Sequence, residues 1–163
     1  IYLSFPFPRV DDRLVAKDQN DAYALKINKL VNGKDKYIIQ QPQKFGSIPA
    51  CIHCKKSEKL KWLLYIDRPG KYNFDVSYNY QGDTNSKLTI RAKCNKQKLI
   101  HRVCNTGKTV GEPNYDWVIN SFNPYKVGTF VFEKPGYYPI ELDVRVYGKE
   151  RLDFQWAYLK FTL

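Results

Sequence analysis

Methionine is absent from all 163 residues, and histidine occurs only twice, at His53 and His101. Neither histidine sits in a recognisable catalytic triad or metal motif, so the sequence offers little for histidine-dependent hydrolysis. No carboxylate pair stands out by spacing as the acid and base of a glycoside hydrolase. No run approaches the roughly 18–20 apolar residues of a membrane-spanning helix. A helical period sustained over about three turns is missing as well. Because position 1 is Ile and no methionine follows, we expect a mature or excised part of a longer, exported protein (secreted, periplasmic or at the cell surface). "IYLSFPFPR" is too short and too broken by proline to serve as a signal peptide. It reads as the exit from a preceding domain.

Acidic residues are also scarce. Lys and Arg number 27 against 16 Asp and Glu, a formal net charge of +11. Between Asp83 and Glu112 there is no acid at all, yet Lys87, Arg91, Lys93, Lys96, Lys98, Arg102 and Lys108 fall there. A second basic group, Lys55, Lys56, Lys59 and Lys61, follows His53. Such a balance either keeps a surface solvated or favours anionic partners, among them nucleic acid and acidic polysaccharide.

Cysteine is limited to Cys51, Cys54, Cys94 and Cys104. "CIHC" has the spacing of a zinc or redox motif. Its potential partners Cys94 and Cys104 are too far apart to form a second zinc knuckle. No preceding strand and following helix supports a redox site. Cys94 and Cys104 flank "NKQKLIHRV" and are expected to face each other across a hairpin, so free thiols, disulfides and metal remain open.

What is abundant is β-pattern. Aromatics make up 15% of the chain, 13 of them tyrosine, and tyrosine suits both strands and surfaces that stack on flat ligands. In "KYNFDVSYNY", Tyr72, Phe74, Val76, Tyr78 and Tyr80 share one face and Asn73, Asp75, Ser77 and Asn79 the other, a half-buried antiparallel strand. "DAYALKINKL", "KDKYIIQQP", "KLKWLLYI", "KLTIRAKC", "GTFVFE", "YYPIELDVRV" and "LDFQWAYLKF" read as further strands. Loops such as "YQGDTNS" and "NTGKTVGEPN" carry turn residues. The expectation is an all-β jelly-roll sandwich of two antiparallel sheets over 21–163, with 1–20 a linker or strap to a preceding domain. Trp62 and Trp156 fall within strand patterns and are expected in the core.

Two stretches repeat one device: "YIDRPGKYNFDV" and "VFEKPGYYPIEL", with Pro69-Gly70 and Pro135-Gly136 separated by 66 positions. Proline sets φ and glycine tolerates a positive φ, the pairing of a type II turn. No nucleophile or acid pair accompanies either copy, so both are read as structural hairpins.

The run "WLLYIDRPGKYNFDVSYNY", "SKLTIRAKCNKQKL", a "TG" step, a tryptophan, "VGTFVFEKPGYYPIELDVRV" and a final "WAYLKF" resembles the galactose-binding-like β-sandwich. More narrowly, it resembles the carbohydrate-binding-module-type domains appended to bacterial glycoside hydrolases such as α-L-fucosidases. The resemblance covers roughly 21–163, and "SIPACIHCKKSEK" stands where an aromatic-rich loop is expected. It implies a non-catalytic carbohydrate-binding or accessory domain of a secreted glycoside hydrolase, whose catalytic domain would be a partner. Aromatic rings would stack on the apolar faces of the sugar while planar polar groups read its hydroxyls. The candidates are Asn114, Tyr115, Asp116 and Trp117, with Tyr125 and His53 as neighbours. Trp117 also reads as the start of a strand.

No cofactor is firmly implied. The resemblance admits a structural calcium, for which Asp18, Asp21, Glu141 and Asp143 are the nearby acids, without a calcium-loop motif. The basic surface suits an acidic or sulfated glycan. The alternatives are a sandwich with no ligand of its own and a basic nucleic-acid-binding protein; the latter lacks an aromatic platform or any nucleic-acid motif.

Overall fold

A computed structural model describes residues 13–32, 51–83, 85–107 and 122–163. The strands are β1 (Ala22–Lys26), β2 (Ile52–Cys54), β3 (Glu58–Ile66), β4 (Gly70–Asn79), β5 (Thr89–Cys94), β6 (Gln97–Arg102), β7 (Asn123–Phe132), β8 (Gly136–Arg145) and β9 (Leu152–Phe161). A 3-10 turn, Ile27–Lys29, follows β1. The chain is therefore an all-β sandwich of two antiparallel sheets, as the alternation of its strands required. Among the described residues there is no helix long and apolar enough to cross a membrane.

One sheet runs β1-β9-β4-β7, with β2 paired to the same edge of β9 beyond the end of β1. The other runs β3-β8-β5-β6. Between them lies one continuous core. Phe74, Val76 and Tyr78 of β4, Phe130 of β7, Leu159 and Phe154 of β9, Trp62 and Leu64 of β3, and Ile140 and Leu142 of β8 are all buried there. Trp62 occupies the core as expected, and its indole N–H donates to the Lys26 carbonyl at 2.8 Å. A buried indole needs such an acceptor.

The Pro-Gly stretches are not hairpins. The first joins β3 to β4 and the second joins β7 to β8, and each pair lies in different sheets. Both are corners that carry the chain from one sheet to the other. They sit side by side, because Ile66 pairs with Gly136 and Gly70 with Phe132. Their glycine φ angles, 146° and 156°, lie well beyond the type II value of about +80°. Glycine is required at both, but for a more extended turn than the sequence suggested.

The cysteine expectation also changes. β5 and β6 do form a hairpin, but Cys94 stands next to its turn, opposite Gln97, while Cys104 follows the far end of β6. They cannot face each other, and neither is in a disulfide.

Two side-chain amides complete the sheets at their margins. Asn32 donates from Nδ2 to the Lys59 carbonyl (2.9 Å) and accepts from the Lys61 N–H (2.8 Å), imitating a strand partner on the outer edge of β3. Val15 continues that edge, donating to the Leu63 carbonyl and accepting from the Tyr65 N–H. On the other side, Gln97 of β6 donates to the Val131 carbonyl (2.7 Å) and accepts from the Val131 N–H (2.8 Å), tying one sheet's edge to the other's. Unpaired strand edges invite intermolecular pairing, and these amides remove part of that opportunity.

Candidate functional site

The outer face of the five-stranded sheet is set by an irregularity in β9. Alternation through "LDFQWAYLKF" would put Trp156 and Tyr158 on the side of Leu152 and Phe154, in the core. The β4–β9 register slips between Ser77 and Tyr78, with Ser77 opposite Trp156 and Tyr78 opposite Phe154, so Gln155 is the extra residue. A bulge of one residue turns over every side chain beyond it. Ala157 and Leu159 thereby take the inner positions, and Trp156, Tyr158 and Lys160 turn outward. Trp156, expected in the core, is instead partly exposed.

Trp156 and Tyr158 meet edge to face with ring centroids 4.6 Å apart. Polar residues surround them in register. Lys26 lies opposite Trp156 on β1, Asp75 opposite Tyr158 and Asn73 opposite Lys160 on β4. Ser77 donates from its hydroxyl to Gln155 Oε1 at 2.7 Å, which fixes the bulged side chain beside the indole. Thr129 of β7 donates to Asn73 Oδ1 at 3.2 Å. The result is a pair of rings held in mid-sheet with amide, carboxylate and ammonium groups around it. Such a surface can bury an apolar ligand face while satisfying its polar edge.

At the β2 end of the same face, His53 and Asp153 are cross-strand neighbours, with Nδ1 and Oδ1 2.7 Å apart. Asp153 is buried and is gripped by Arg151 at both oxygens, Nε–Oδ1 2.9 Å and Nη2–Oδ2 3.0 Å. That hydrogen-bonded pairing holds the Arg151 guanidinium above its ordinary range. Asn79 Nδ2 approaches Asp153 Oδ2 at 3.5 Å, and Asn79 Oδ1 accepts from Gln81 and Thr106. Cys51 lies beside this group, and burial pushes its thiol up to about 12. It is therefore protonated at neutral pH and is not an activated nucleophile.

Of the residues singled out in the sequence, Asn114, Tyr115, Asp116 and Trp117 lie outside the described residues, as does the "KDKYIIQQP" strand. His53 and Tyr125 are described but stand on opposite faces of one sheet. His53 faces outward with Asp153, whereas Tyr125, paired with Val76, stacks on Tyr78 at 5.0 Å in the partly buried end of the core. The acids considered for calcium are distributed. Asp18 accepts from the backbone of Asn20 and Ala22, Asp21 lies 3.7 Å from Lys17, Glu141 faces Lys61 on β3, and Asp143 pairs with Arg145. Trp156 and Tyr158 were missed as surface residues. Lys160, two positions further along the same alternation, was the available signal that this face is not core.

A separate cavity of about 630 Å³ opens over the outer face of the four-stranded sheet. Leu63 and Pro139 line it among apolar groups, with Arg13, Lys61, Lys93 and Asn95 among the polar ones.

Neither a protein-family model nor a curated protein sequence matches the chain. Solved structures do. The insecticidal crystal protein Cry2Aa superposes with a TM-score of 0.65 at 17% identity, over 91% of this chain and 22% of that one. An α-L-fucosidase from Vibrio sp. strain EJY3 gives 0.56 at 20% identity, over 91% and 24%. The C-terminal CBM6 of the laminarinase LamC from Zobellia galactanivorans gives 0.56 at 13% identity, over 85% of this chain and 98% of that module. The chain thus spans about a quarter or less of the toxin and the fucosidase, and nearly all of the CBM6. Its fold is the carbohydrate-binding-module-type β-sandwich.

Proposed function

We propose that this chain is a carbohydrate-binding accessory domain that engages sugar on the outer face of its five-stranded sheet. The observation that carries the reading is the Trp156–Tyr158 pair, turned outward by the Gln155 bulge and flanked by Asn73, Asp75 and Lys26. A pyranose ring lies with its C–H face on the indole or the phenol, and the neighbouring amide and carboxylate take its hydroxyls in pairs. The domain makes no bond-breaking contribution in this reading. It holds a glycoside hydrolase, of which it is a part, close to polymeric substrate and raises the effective concentration of that substrate. A fucosidase-like parent enzyme and an exported location are the finer form of the proposal, supported by the fold shared with the Vibrio enzyme.

A preference for acidic or sulfated glycans belongs to the same proposal. It is supported by the net charge of +11 and by Lys26 and Lys160, which share the outward face with the two rings. Binding to anionic glycans would then weaken as salt rises, since exposed charges are screened over about 8 Å at physiological ionic strength.

A glycan array and affinity electrophoresis at two salt concentrations, on the chain and on Trp156→Ala and Tyr158→Ala, test the reading. The expected result is binding to at least one polysaccharide, lost in Trp156→Ala without change in the unfolding midpoint. Absence of binding at both salts, or full retention in both variants, would sink it.

A further inference from the structure

The "CIHC" segment has a use that its spacing conceals. On a strand, residues two apart share a face and residues three apart do not. Cys54, paired with Leu152, points into the core, and Cys51 and His53 are left together on the other side. There they meet Asp153, brought across from β9 by the His53–Asp153 register pair. The ligand atoms of Cys51, His53 and Asp153 all lie within 4.8 Å of one another. The motif therefore acts as Cys-x-His plus a cross-strand carboxylate, and not as a CxxC pair.

We propose that Cys51, His53 and Asp153 form a zinc site that pins β2 to β9. Zinc binds thiolate at about 2.3 Å and imidazole or carboxylate at about 2.0–2.2 Å, so tetrahedral ligand atoms stand roughly 3.2–3.7 Å apart. Side-chain rotations alone bring the three into that range. The His53–Asp153 contact opens by about half an ångström from its present 2.7 Å, and Cys51 closes on both.

The donor set of one sulfur, one nitrogen and one oxygen selects zinc or cobalt and excludes calcium and magnesium, which take oxygen alone. Binding displaces the thiol proton of Cys51 and any proton on the ligating nitrogen of His53, both released to solvent. Arg151 supplies the outer partner that orients a ligating carboxylate. Its Nη2 keeps Asp153 Oδ2 at 3.0 Å while Oδ1 turns to the metal. The His53 side chain is 16% exposed. Entry and a water in the fourth position are thereby provided from that side. The site is independent of the sugar platform, whose rings lie further along β9.

Metal-stripped protein titrated with zinc against a chromophoric chelator is the test, with cobalt as a spectroscopic probe. One equivalent is expected to bind, with a thiolate-to-cobalt charge-transfer band and a raised unfolding temperature. Arg151→Gln weakens binding about 10-fold, as for other outer-sphere losses, and Cys51→Ser and His53→Gln weaken it further. Cys104→Ser and Cys54→Ser keep both the stoichiometry and the band. Failure of the unsubstituted protein to take up zinc would overturn the proposal. So would a cobalt band that survives Cys51→Ser, or binding that disappears with Cys54→Ser while its fold is intact. Any of these outcomes leaves Asp153, held by His53 and Arg151, as a hydrogen-bonded cluster and nothing more.

Discussion

The Tyr72 hydroxyl donates to the Arg68 carbonyl, four residues back, at 2.6 Å. The same bond recurs in the second Pro-Gly corner, where Tyr138 donates to Lys134 at 2.7 Å. In both, the tyrosine stands two residues after the glycine and reaches back over the turn, in the manner of the tyrosine corners of other sandwiches. The two copies differ in what surrounds them. Tyr72 is buried against Phe132, Phe161 and Tyr23, whereas Tyr138 is partly exposed. Phenylalanine retains the ring and removes only the hydrogen bond, which contributes about 1 kcal/mol. Tyr72→Phe is expected to lower stability by about that amount and Tyr138→Phe by less, since water can replace an exposed donor. Urea unfolding of both variants checks the order, and equal losses would contradict it.

The corner glycines separate in the same way. Both hold a positive φ that strains any other residue. A Cβ on Gly70 would come within 2.6 Å of the Phe161 ring, and at Gly136 the nearest atom is 4.0 Å away. Phe161 cannot swing aside without loss, because the Arg68 guanidinium sits 3.8 Å over its ring. Gly136→Ala is expected to cost about 1 kcal/mol from backbone strain. Gly70→Ala adds overpacking, which brings it to about 2–3 kcal/mol. Thermal unfolding that ranks Gly136→Ala as the worse of the two would refute this account.

His101 makes the fold sensitive to mild acid. Its Nε2 lies 2.8 Å from the Tyr78 hydroxyl, which already accepts from the Cys104 N–H at 2.9 Å. The phenol and the imidazole thus share one hydrogen bond. Burial lowers the His101 pKa in the folded state. The side chains facing it, Tyr78 and Tyr125, contribute no charge near neutrality. The unfolded chain thus binds a proton near pH 6.5 that the folded chain does not yet bind. Stability from this group is full above about pH 6.5 and falls as pH drops toward the lower folded value, with no further loss beyond it. Urea midpoints measured across that window are expected to flatten in His101→Asn. An unchanged slope would assign the acid sensitivity elsewhere.

Much of this fold was legible because its long strands alternate cleanly. "KYNFDVSYNY" gave the right face, with Tyr72, Phe74, Val76, Tyr78 and Tyr80 in the core, and "KLTIRAKC" and "YYPIELDVRV" are strands as read. What escaped depended on pairing between distant segments. The face of Trp156 is decided by a slip against Ser77, which "LDFQWAYLKF" does not reveal on its own. β2 is three residues long, too short to show a period, and exists because β9 offers Leu152–Phe154 as a partner. Pro69-Gly70 and Pro135-Gly136 resemble hairpin turns locally, and only the sheet assignment of their flanking strands makes them corners. Cys94 and Cys104 looked opposed until the turn position fixed which end each occupies.

Asn32, which closes the outer edge of β3, precedes Gly33 in the sequence. Asn-Gly is the dipeptide most open to attack by the following backbone nitrogen on the side-chain carbonyl, with loss of ammonia. The group that seals the sheet is thus also a site of spontaneous chemical ageing. Conversion to aspartate or isoaspartate removes the donor to the Lys59 carbonyl and sets two oxygens against each other, at a cost of about 1–3 kcal/mol where the carbonyl is left without a partner. Protein aged at mildly alkaline pH is expected to show deamidation at Asn32 by peptide mass spectrometry, together with self-association through the opened strand. Asn32→Asp should reproduce that association in fresh protein. An aged sample deamidated at Asn32 yet fully monomeric would show that Val15 alone keeps the edge shut.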